Sequence, residues 1–159
     1  MSLAKLTVVE CIRTALRREA ASLTAITEMA RDEATHGQSR PENQYDTRAL
    51  EASYLAAGQG KRLEELRLLV AWFEVLDTER VPASVRAGAL VSLEEEDGGT
   101  TWILVAPSGG MRVQVEGSVV SVISPASSLG SAIAGLAVGD AAEVRGPRGV
   151  REVEVLSLQ

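Results

Sequence analysis

The chain of 159 residues carries 16 basic and 22 acidic side chains, a net charge of −6, and is 45% hydrophobic but only 3% aromatic. Its length fits one ordinary domain or two small ones with an aliphatic core, and no apolar run is long enough to span a bilayer. The single cysteine, Cys11, excludes an internal disulfide and a multi-cysteine zinc site. The acidic balance argues against direct binding of DNA or RNA, because that affinity comes largely from Lys and Arg at phosphates.

The first residues also predict a compartment. Charged side chains interrupt the apolar ones over residues 1–20, so this stretch lacks the apolar core of a signal peptide. A lone cysteine is typical of a reducing environment, and we therefore expect a cytoplasmic protein. One histidine and one cysteine are too few for nucleophile–base chemistry or a transition-metal site. Any catalysis would depend on carboxylates or on a partner.

Residues 3–36 predict a long first helix. The stretch contains no Gly or Pro and is rich in Ala, Leu, Arg and Glu, which favour helices. Gly37 then ends the helix, and Ser39 with Glu42 forms an S-x-x-E capping box for a second helix over residues 40–77. Because the connection is so short, the two helices are expected to run antiparallel and to pack against each other.

Apolar residues at alternating spacings of three and four predict the seam of a coiled coil. In the first helix the seam consists of Val9, Ile12, Leu16, Leu23, Ile26 and Ala30, and it is interrupted only at Glu19. In the second helix it consists of Tyr45, Ala49, Ala52, Ala56, Gln59, Leu63, Leu66, Val70 and Phe73. Residues 1–80 are thus predicted to form an antiparallel helical hairpin. The simplest role for such an element is dimerisation or spacing.

Acidic residues gather at the predicted tip of this hairpin. Glu42 and Asp46 are four positions apart on a helix, so they share a face. Two carboxylates at this spacing can hold a hard cation such as Mg²⁺, which prefers oxygen ligands. The alternative is structural, because Glu42 completes the capping box and acidic residues in a first turn interact favourably with the helix dipole.

After Pro82 the composition changes, and residues 81–159 are predicted to form a second, β-rich domain. Of the 14 glycines, 11 lie after residue 87. Strand patterns occupy 89–96, 100–107, 111–117 and 118–125, a short helix occupies 128–136, and two closing strands are joined by the G-P-R-G turn at 146–149. We expect four or five antiparallel strands around one short helix, and therefore an α+β chain.

This layout and one local motif resemble the bacterial Gre transcript-cleavage factors. Their C-terminal domains carry a stretch like T-P-x-S-P-L-G-R-A-L-L-G-K-x-x-G-D. Here residues 124–135 (SPASSLGSAIAG) lead to Val138-Gly139-Asp140 at the same spacing. The closing G-V-R-E-V-E-V-L at 149–156 is similar to the family's last strand. Residues 42–59 are more similar to a Gre-like subgroup than to GreA or GreB.

The resemblance implies a function that uses another protein's active site. The second domain would have an FKBP-like fold and dock at the rim of the RNA polymerase secondary channel through Ser127, Ser128 and Leu129. The hairpin would enter the channel and bring Glu42 and Asp46 to the polymerase's catalytic Mg²⁺, where backtracked RNA is hydrolysed. The factor would bind no cofactor stably and would share Mg²⁺ with the polymerase. It would meet nascent RNA only there, and would bind neither DNA directly nor a membrane.

Two departures from the family pattern leave another function open. The family's tip resembles D-x-x-E-N, but Ser39 stands three positions before Glu42, so only Glu42 carries over and Asp46 is the nearest further acid. In the docking stretch, Ser128 stands for a Pro and Ser131 for an Arg. The alternative is a regulator that occupies the secondary channel, competes with cleavage factors and does not promote cleavage.

Two further hypotheses depend on one half of the chain each. The hairpin alone would suit a coiled-coil protein that associates with itself. An FKBP-like fold also suggests a prolyl isomerase. That activity is disfavoured because Trp102 is the only aromatic residue after residue 80, too few to line the required apolar pocket.

Overall fold

A computed structural model describes residues 2–35 and 47–159 of the chain. Two long helices precede a six-stranded sheet with one short helix, which confirms the predicted α+β class. The elements are α1 (Lys5–Thr35), α2 (Thr47–Glu74), β1 (Leu90–Glu95), β2 (Thr100–Val105), β3 (Met111–Val115), β4 (Ser118–Ile123), α3 (Ser128–Ile133), β5 (Ala141–Gly146) and β6 (Gly149–Leu158). No helix within the described ranges is long and apolar enough to cross a membrane.

The chain packs as two compact units. One consists of residues 13–74, which are most of α1 together with α2. The other joins residues 2–12 to residues 75–159, so the start of α1 belongs to the unit that contains the sheet. The domain boundary predicted from composition, between residues 80 and 81, stays a prediction.

Within the helical unit, α1 and α2 run antiparallel. Arg17 Nη2 pairs with Glu74 Oε1 at 2.5 Å, and further along α1 Glu19 pairs with Arg62 at 3.1 Å. Residue numbers therefore rise along one helix as they fall along the other, as predicted for the hairpin. Both ion pairs are exposed and each contributes at most about 1 kcal/mol, so the helices depend mainly on apolar packing.

That packing covers only part of the predicted seam. Among the seam side chains of this unit that the structure describes, the buried ones are Leu16, Leu63, Leu66 and Phe73. Ile26, in contrast, is 49% exposed, and Ala30 and Ala56 are exposed as well, so the prediction is wrong at these three positions. Residues 56–60 of α2 are Ala, Gly and Gln, which offer little apolar surface for a coiled-coil seam.

The guanidinium of Arg13 closes the C-terminal end of α2. Its Nε and Nη2 atoms donate to the carbonyl oxygen of Phe73 at 2.9 and 2.7 Å, and Nη2 also donates to that of Glu74 at 3.3 Å. The last carbonyls of a helix lack partners within the helix, and a cation there also interacts favourably with the helix dipole. The helix accordingly ends at Glu74 and not at residue 77 as predicted.

The sheet has the strand order β3-β4-β2-β1-β6-β5. Every neighbouring pair is antiparallel except β2 and β4, which run parallel from Trp102 opposite Val120 to Val105 opposite Ile123. The prediction of four or five strands, all antiparallel, was wrong in both respects. The chain leaves β2, forms β3 at the outer edge and turns back into β4, which therefore lies beside β2 in the same direction.

Gly109 permits this crossing. A Cβ atom at residue 109 would lie 2.7 Å from the Cα atom of Ile123 and 2.8 Å from the carbonyl oxygen of Val122. The next residue, Gly110, donates its N–H to that same carbonyl at 3.0 Å. Because real Cβ atoms do not approach backbone so closely, only glycine lets the connection pass against β4.

The core of this unit is aliphatic, as the composition predicts. Its buried residues are Val85, Ala89, Val91, Leu93, Ile103, Val105, Ile133, Val144, Val153 and Val155. Helix α3 covers the cluster with Ile133, which is fully buried, while Leu129 and Ala132 pack against its margin. This packing fixes the position of α3, and with it the predicted docking residues.

Candidate partner-docking site

The two carboxylates predicted to assist catalysis, Glu42 and Asp46, lie outside the described residues. Within residues 2–35 and 47–159, no group of three His, Cys, Asp or Glu side chains is close enough to hold a metal ion. The role of the predicted tip therefore stays a prediction. The part of the predicted site that the structure describes is the docking stretch around Ser127, Ser128 and Leu129.

Ser127 is the N-cap of α3. Its backbone is extended, with φ −70° and ψ 158°, and its Oγ atom accepts a hydrogen bond from the N–H of Gly130 at 3.0 Å. The same hydroxyl donates to the carbonyl oxygen of Ser124 at 2.8 Å, and the Ser127 N–H donates to that oxygen at 3.1 Å. The predicted partner residue Ser127 thus uses its hydroxyl within the chain, where it shapes the loop.

Gly130 brings α3 against the preceding loop. A Cβ atom on Gly130 would lie 2.0 Å from the carbonyl oxygen of Ser124 and 2.9 Å from Ser127 Oγ. No side chain fits at these distances, so the turn from Ser124 into α3 requires glycine at this position. The helix ends at Ile133, earlier than the predicted residue 136.

The residues around α3 differ in what they offer a partner. Ser128 is exposed, whereas Leu129 is half-buried against the core. Beyond the helix, Gly135 donates its N–H to the carbonyl of Val85 at 2.8 Å, and Val85 donates to the carbonyl of Leu136 at 2.8 Å. Both ends of α3 are therefore tied to fixed backbone, and Ser128 is presented on a rigid element.

Beside Ser128 and Leu129 lies a groove of about 580 Å³. Its other walls come from β3 and from the tight turn between β5 and β6, where Gly146 pairs with Gly149 as the predicted G-P-R-G hairpin requires. We call it the arginine groove, because four of its lining residues are Arg112, Arg145, Arg148 and Arg151. It therefore continues the predicted docking residues into a cationic surface.

Sequence analysis missed this groove. Its arginines belong to β3, β5, β6 and the turn at residue 148, which are far apart in the chain. The sequence contains one signal that could have indicated the groove, namely its few basic residues after residue 82. These are Arg86, Arg112, Arg145, Arg148 and Arg151, and all but Arg86 line the groove. Against nine acidic residues in the same stretch, such clustering of scarce cations indicates a site.

The acidic run at 94–97 has defined partners. Glu95 forms an ion pair with Arg151 and accepts a hydrogen bond from Thr101 Oγ1 at 3.0 Å. Glu96 Oε1 accepts from the backbone N–H of Glu152 at 2.8 Å. These contacts hold the β1–β2 turn beside β6. They also neutralise Arg151, so the free cations of the arginine groove are the remaining three.

A second cavity, of about 400 Å³, lies beside the start of α1. Lys5 is only 4% exposed there, and its Nζ donates to the carbonyl of Arg80 at 3.1 Å. Burial lowers the pKa of Lys5 below its ordinary value of 10.5; Asp77 raises it in part and Arg86 lowers it further. Hydrogen bonds from the N–H groups of Glu79 and Arg80 lower the pKa of Asp77 below its ordinary 3.8. These contacts join α1 to the segment after α2.

Comparison with known families assigns the sheet-containing part of the chain. The family described as "Transcription elongation factor, GreA/GreB, C-term" matches residues 81–159. This range includes all six strands, α3 and the whole of the arginine groove.

Whole relatives extend the likeness into the helices. GreA of Chelativorans sp. is 35% identical over 127 residues, which cover 78% of this chain and 74% of that protein. GreA of Mesorhizobium japonicum is 34% identical over 128 residues, covering 79% and 75%. GreA of Cereibacter sphaeroides is 33% identical over 100 residues, covering 62% of this chain and 60% of that protein. Against this relative and others like it, the chain spans about three fifths of the relative's length.

Among solved structures, GreA factor homolog 1 of Thermus thermophilus is 21% identical and covers 92% of this chain and 94% of its own, with a TM-score of 0.39. The GreA proteins of Chelativorans and Mesorhizobium are 35% and 34% identical to this chain over about three quarters of their own length. The chain therefore belongs to the GreA/GreB family of transcription elongation factors.

Proposed function

We propose that the protein is a transcription elongation factor that binds RNA polymerase at its secondary channel and promotes cleavage of backtracked nascent RNA. The observation that carries this proposal is family membership, because the matched relatives are named transcription elongation factor GreA. Polymerase binding would be the task of the unit that contains the sheet, and cleavage would be the task of the hairpin tip.

The geometry around α3 supports a docking role. Ser128 is exposed at the start of a helix whose backbone is fixed by the Ser127 cap and by the close approach of Gly130 to Ser124. A surface that is already ordered loses little conformational entropy when it binds, and this favours affinity. Ser128 and Leu129 would contact the polymerase, while Ser127 would hold the loop in shape.

The proposed cleavage depends on Glu42 and Asp46. Mg²⁺ shared with the polymerase would activate water and stabilise the charge that develops on the phosphodiester. Carboxylate oxygens suit this hard cation, which retains several waters when a protein holds it by one or two carboxylates. The described parts of α1 and α2 support the role indirectly, since Arg17–Glu74 and Glu19–Arg62 hold the helices as an antiparallel pair.

Backtracked elongation complexes test the proposal. Complexes with labelled RNA, incubated with the protein and Mg²⁺, should release short 3′ fragments faster than complexes alone. The double variant Glu42→Ala/Asp46→Ala should bind polymerase normally but lose this stimulation, because the carboxylates act on chemistry and not on docking. Glu64→Ala, an exposed carboxylate of α2 without a described partner, is the matched control and should stay active. Full stimulation by the double variant would contradict the assignment.

One observation favours a second candidate function, a regulator that occupies the secondary channel without cleavage. Ser39 stands where the family pattern has an acidic residue, so a carboxylate of the tip is missing at that position. Such a protein would bind polymerase and slow the action of a cleaving factor, with no release of fragments. The variant Ser39→Asp separates the two functions: a gain of cleavage where the unsubstituted protein has none supports the regulator.

A further inference from the structure

We infer that the arginine groove binds an acidic segment of RNA polymerase, so that Arg112, Arg145 and Arg148 recognise Asp or Glu side chains of the partner. The inference rests on the proposed function for the identity of the partner. It adds the chemistry of the contact. Carboxylates of the partner would bind the arginines, and an apolar side chain of the partner would pack against Leu129 and Val150.

The first support is the state of the arginines. Arg151 is neutralised by Glu95, but Arg112, Arg145 and Arg148 form no ion pair or side-chain hydrogen bond with any described residue. The chain has a net charge of −6 and acidic side chains are plentiful, yet none of those within residues 2–35 and 47–159 forms an ion pair with these three arginines. Their charge is therefore available to a ligand from outside the chain.

The second support is the kind of cation. The chain has only two lysines, Lys5 and Lys61, and neither of them lines the groove. The planar guanidinium presents paired donors that match both oxygens of a carboxylate or a phosphate. Three such groups around one groove favour an anion with fixed geometry over a diffuse attraction to negative charge.

The third support separates a protein segment from nucleic acid. The groove also exposes apolar surface: Val150 is 56% exposed and Leu129 is half-buried. Single-stranded RNA is usually bound by exposed aromatic rings on which bases stack, but Trp102, the one aromatic residue after residue 80, is buried. A long phosphate backbone would also meet the acidic run at 94–97 next to Arg151. A short segment with a few carboxylates and one apolar side chain fits these walls better.

Location is the fourth support. Ser128 and Leu129 form one wall of the groove and are also the residues proposed above to contact the polymerase. A partner that reached Ser128 would therefore lie within side-chain reach of the β5–β6 turn. The arginines would extend the docking contact from α3 to the edge of the sheet.

Zero-length cross-linking tests the inference. The variant Arg148→Lys places a lysine in the groove, and a water-soluble carbodiimide then joins its amine to a touching carboxylate as an amide, with loss of the urea formed from the carbodiimide. Core RNA polymerase is the probe, and mass spectrometry identifies the joined peptides. We expect a link between residue 148 and an Asp or Glu of a polymerase subunit. Arg86→Lys is the control and should give no such link, because Arg86 is the one basic residue of 83–159 that does not line the groove.

Binding measurements provide the second arm. The triple variant Arg112→Gln/Arg145→Gln/Arg148→Gln should bind polymerase about tenfold more weakly at low salt, with a weaker dependence on salt, and Arg86→Gln should bind normally. Circular dichroism shows that each variant is folded. Equal binding by the triple variant, or a residue-148 link only to the 94–97 run of a second copy, would overturn the inference.

The outcomes distinguish failure of the inference from failure of the proposed function. If the unsubstituted protein does not bind polymerase, the proposed function fails and the partner named here fails with it. If it binds and the triple variant binds equally well, only the inference fails. If the triple substitution leaves polymerase binding intact but abolishes binding of a single-stranded RNA oligonucleotide, the groove takes nucleic acid and the inference is wrong.

Discussion

Gly130 and the carbonyl oxygen of Ser124 lie so close that a Cβ atom on residue 130 would be 2.0 Å from that oxygen. This approach places the Ser127 hydroxyl between the two, where it accepts from one and donates to the other. The stretch predicted to dock is thus a single turn held by its own hydrogen bonds. The shape of this turn depends on the lack of a side chain at Gly130 as much as on the hydroxyl of Ser127.

The variant Gly130→Ala should therefore destabilise the unit that contains the sheet by about 2 kcal/mol or more, because backbone must move to admit the methyl group. Urea unfolding followed by Trp102 fluorescence in a Trp72→Phe background measures the change. Gly58→Ala is the control: a Cβ there meets no atom within 4 Å on a helix, so the helical unit, followed by far-ultraviolet circular dichroism, should gain about 0.5–1 kcal/mol in its free energy of unfolding. A neutral Gly130→Ala would show that the loop is not fixed as described.

The contact of Arg13 with the end of α2 predicts a loss of stability in Arg13→Ala. Removing the guanidinium leaves the carbonyls of Phe73 and Glu74 without their donor, which should lower the stability of the helical unit by about 1–2 kcal/mol. Thermal unfolding followed by far-ultraviolet circular dichroism checks this. Arg18→Ala removes an exposed arginine of the same helix that has no described partner and should change stability little.

Lys5 predicts a dependence of stability on alkaline pH. Because burial lowers its pKa, the folded protein releases this proton at a lower pH than the unfolded chain does. The cost of burying the charge is fully present at neutral pH and is relieved as pH rises from the lowered pKa toward 10.5. Lys5→Met should remove this contribution, so its free energy of unfolding should rise less with pH than that of the unsubstituted protein. Parallel pH curves for the two would refute the prediction.

Asp77 predicts a dependence of the same sign at acidic pH, where stability again rises with pH. Its pKa is lowered by the N–H groups of Glu79 and Arg80, so its carboxylate stabilises the fold above pH 3.8 and that contribution is lost as pH falls through the lower folded value. Asp77→Asn keeps an acceptor oxygen but cannot titrate. The stability difference between Asp77→Asn and the unsubstituted protein should therefore be constant near neutral pH and shrink in strong acid, as urea unfolding at several pH values can show.

Local patterns in the sequence predicted the elements well and their long-range contacts less well. The seam spacing, the composition change after Pro82 and the turn at 146–149 each depend on neighbouring residues, and the structure contains the helices, the strands and that turn. The arginine groove, the parallel pair β2–β4 and the Arg13 contact with Phe73 join residues far apart in the chain. No local periodicity encodes such contacts, and they follow only from the topology of the sheet and the pairing of the helices.

The uneven burial along the helical pair has a consequence for its motions. Leu16 and Leu66 are each 1% exposed, whereas Ile26 is 49% and Leu55 69% exposed. Backbone amides open most readily where few apolar contacts oppose the opening, so protection against hydrogen exchange should fall along α1 from Leu16 toward Ile26. The helical pair would then unfold stepwise from its less buried end while the other end stays closed. A partner that clamps Ile26 and Leu55 would slow exchange there without changing it at Leu16.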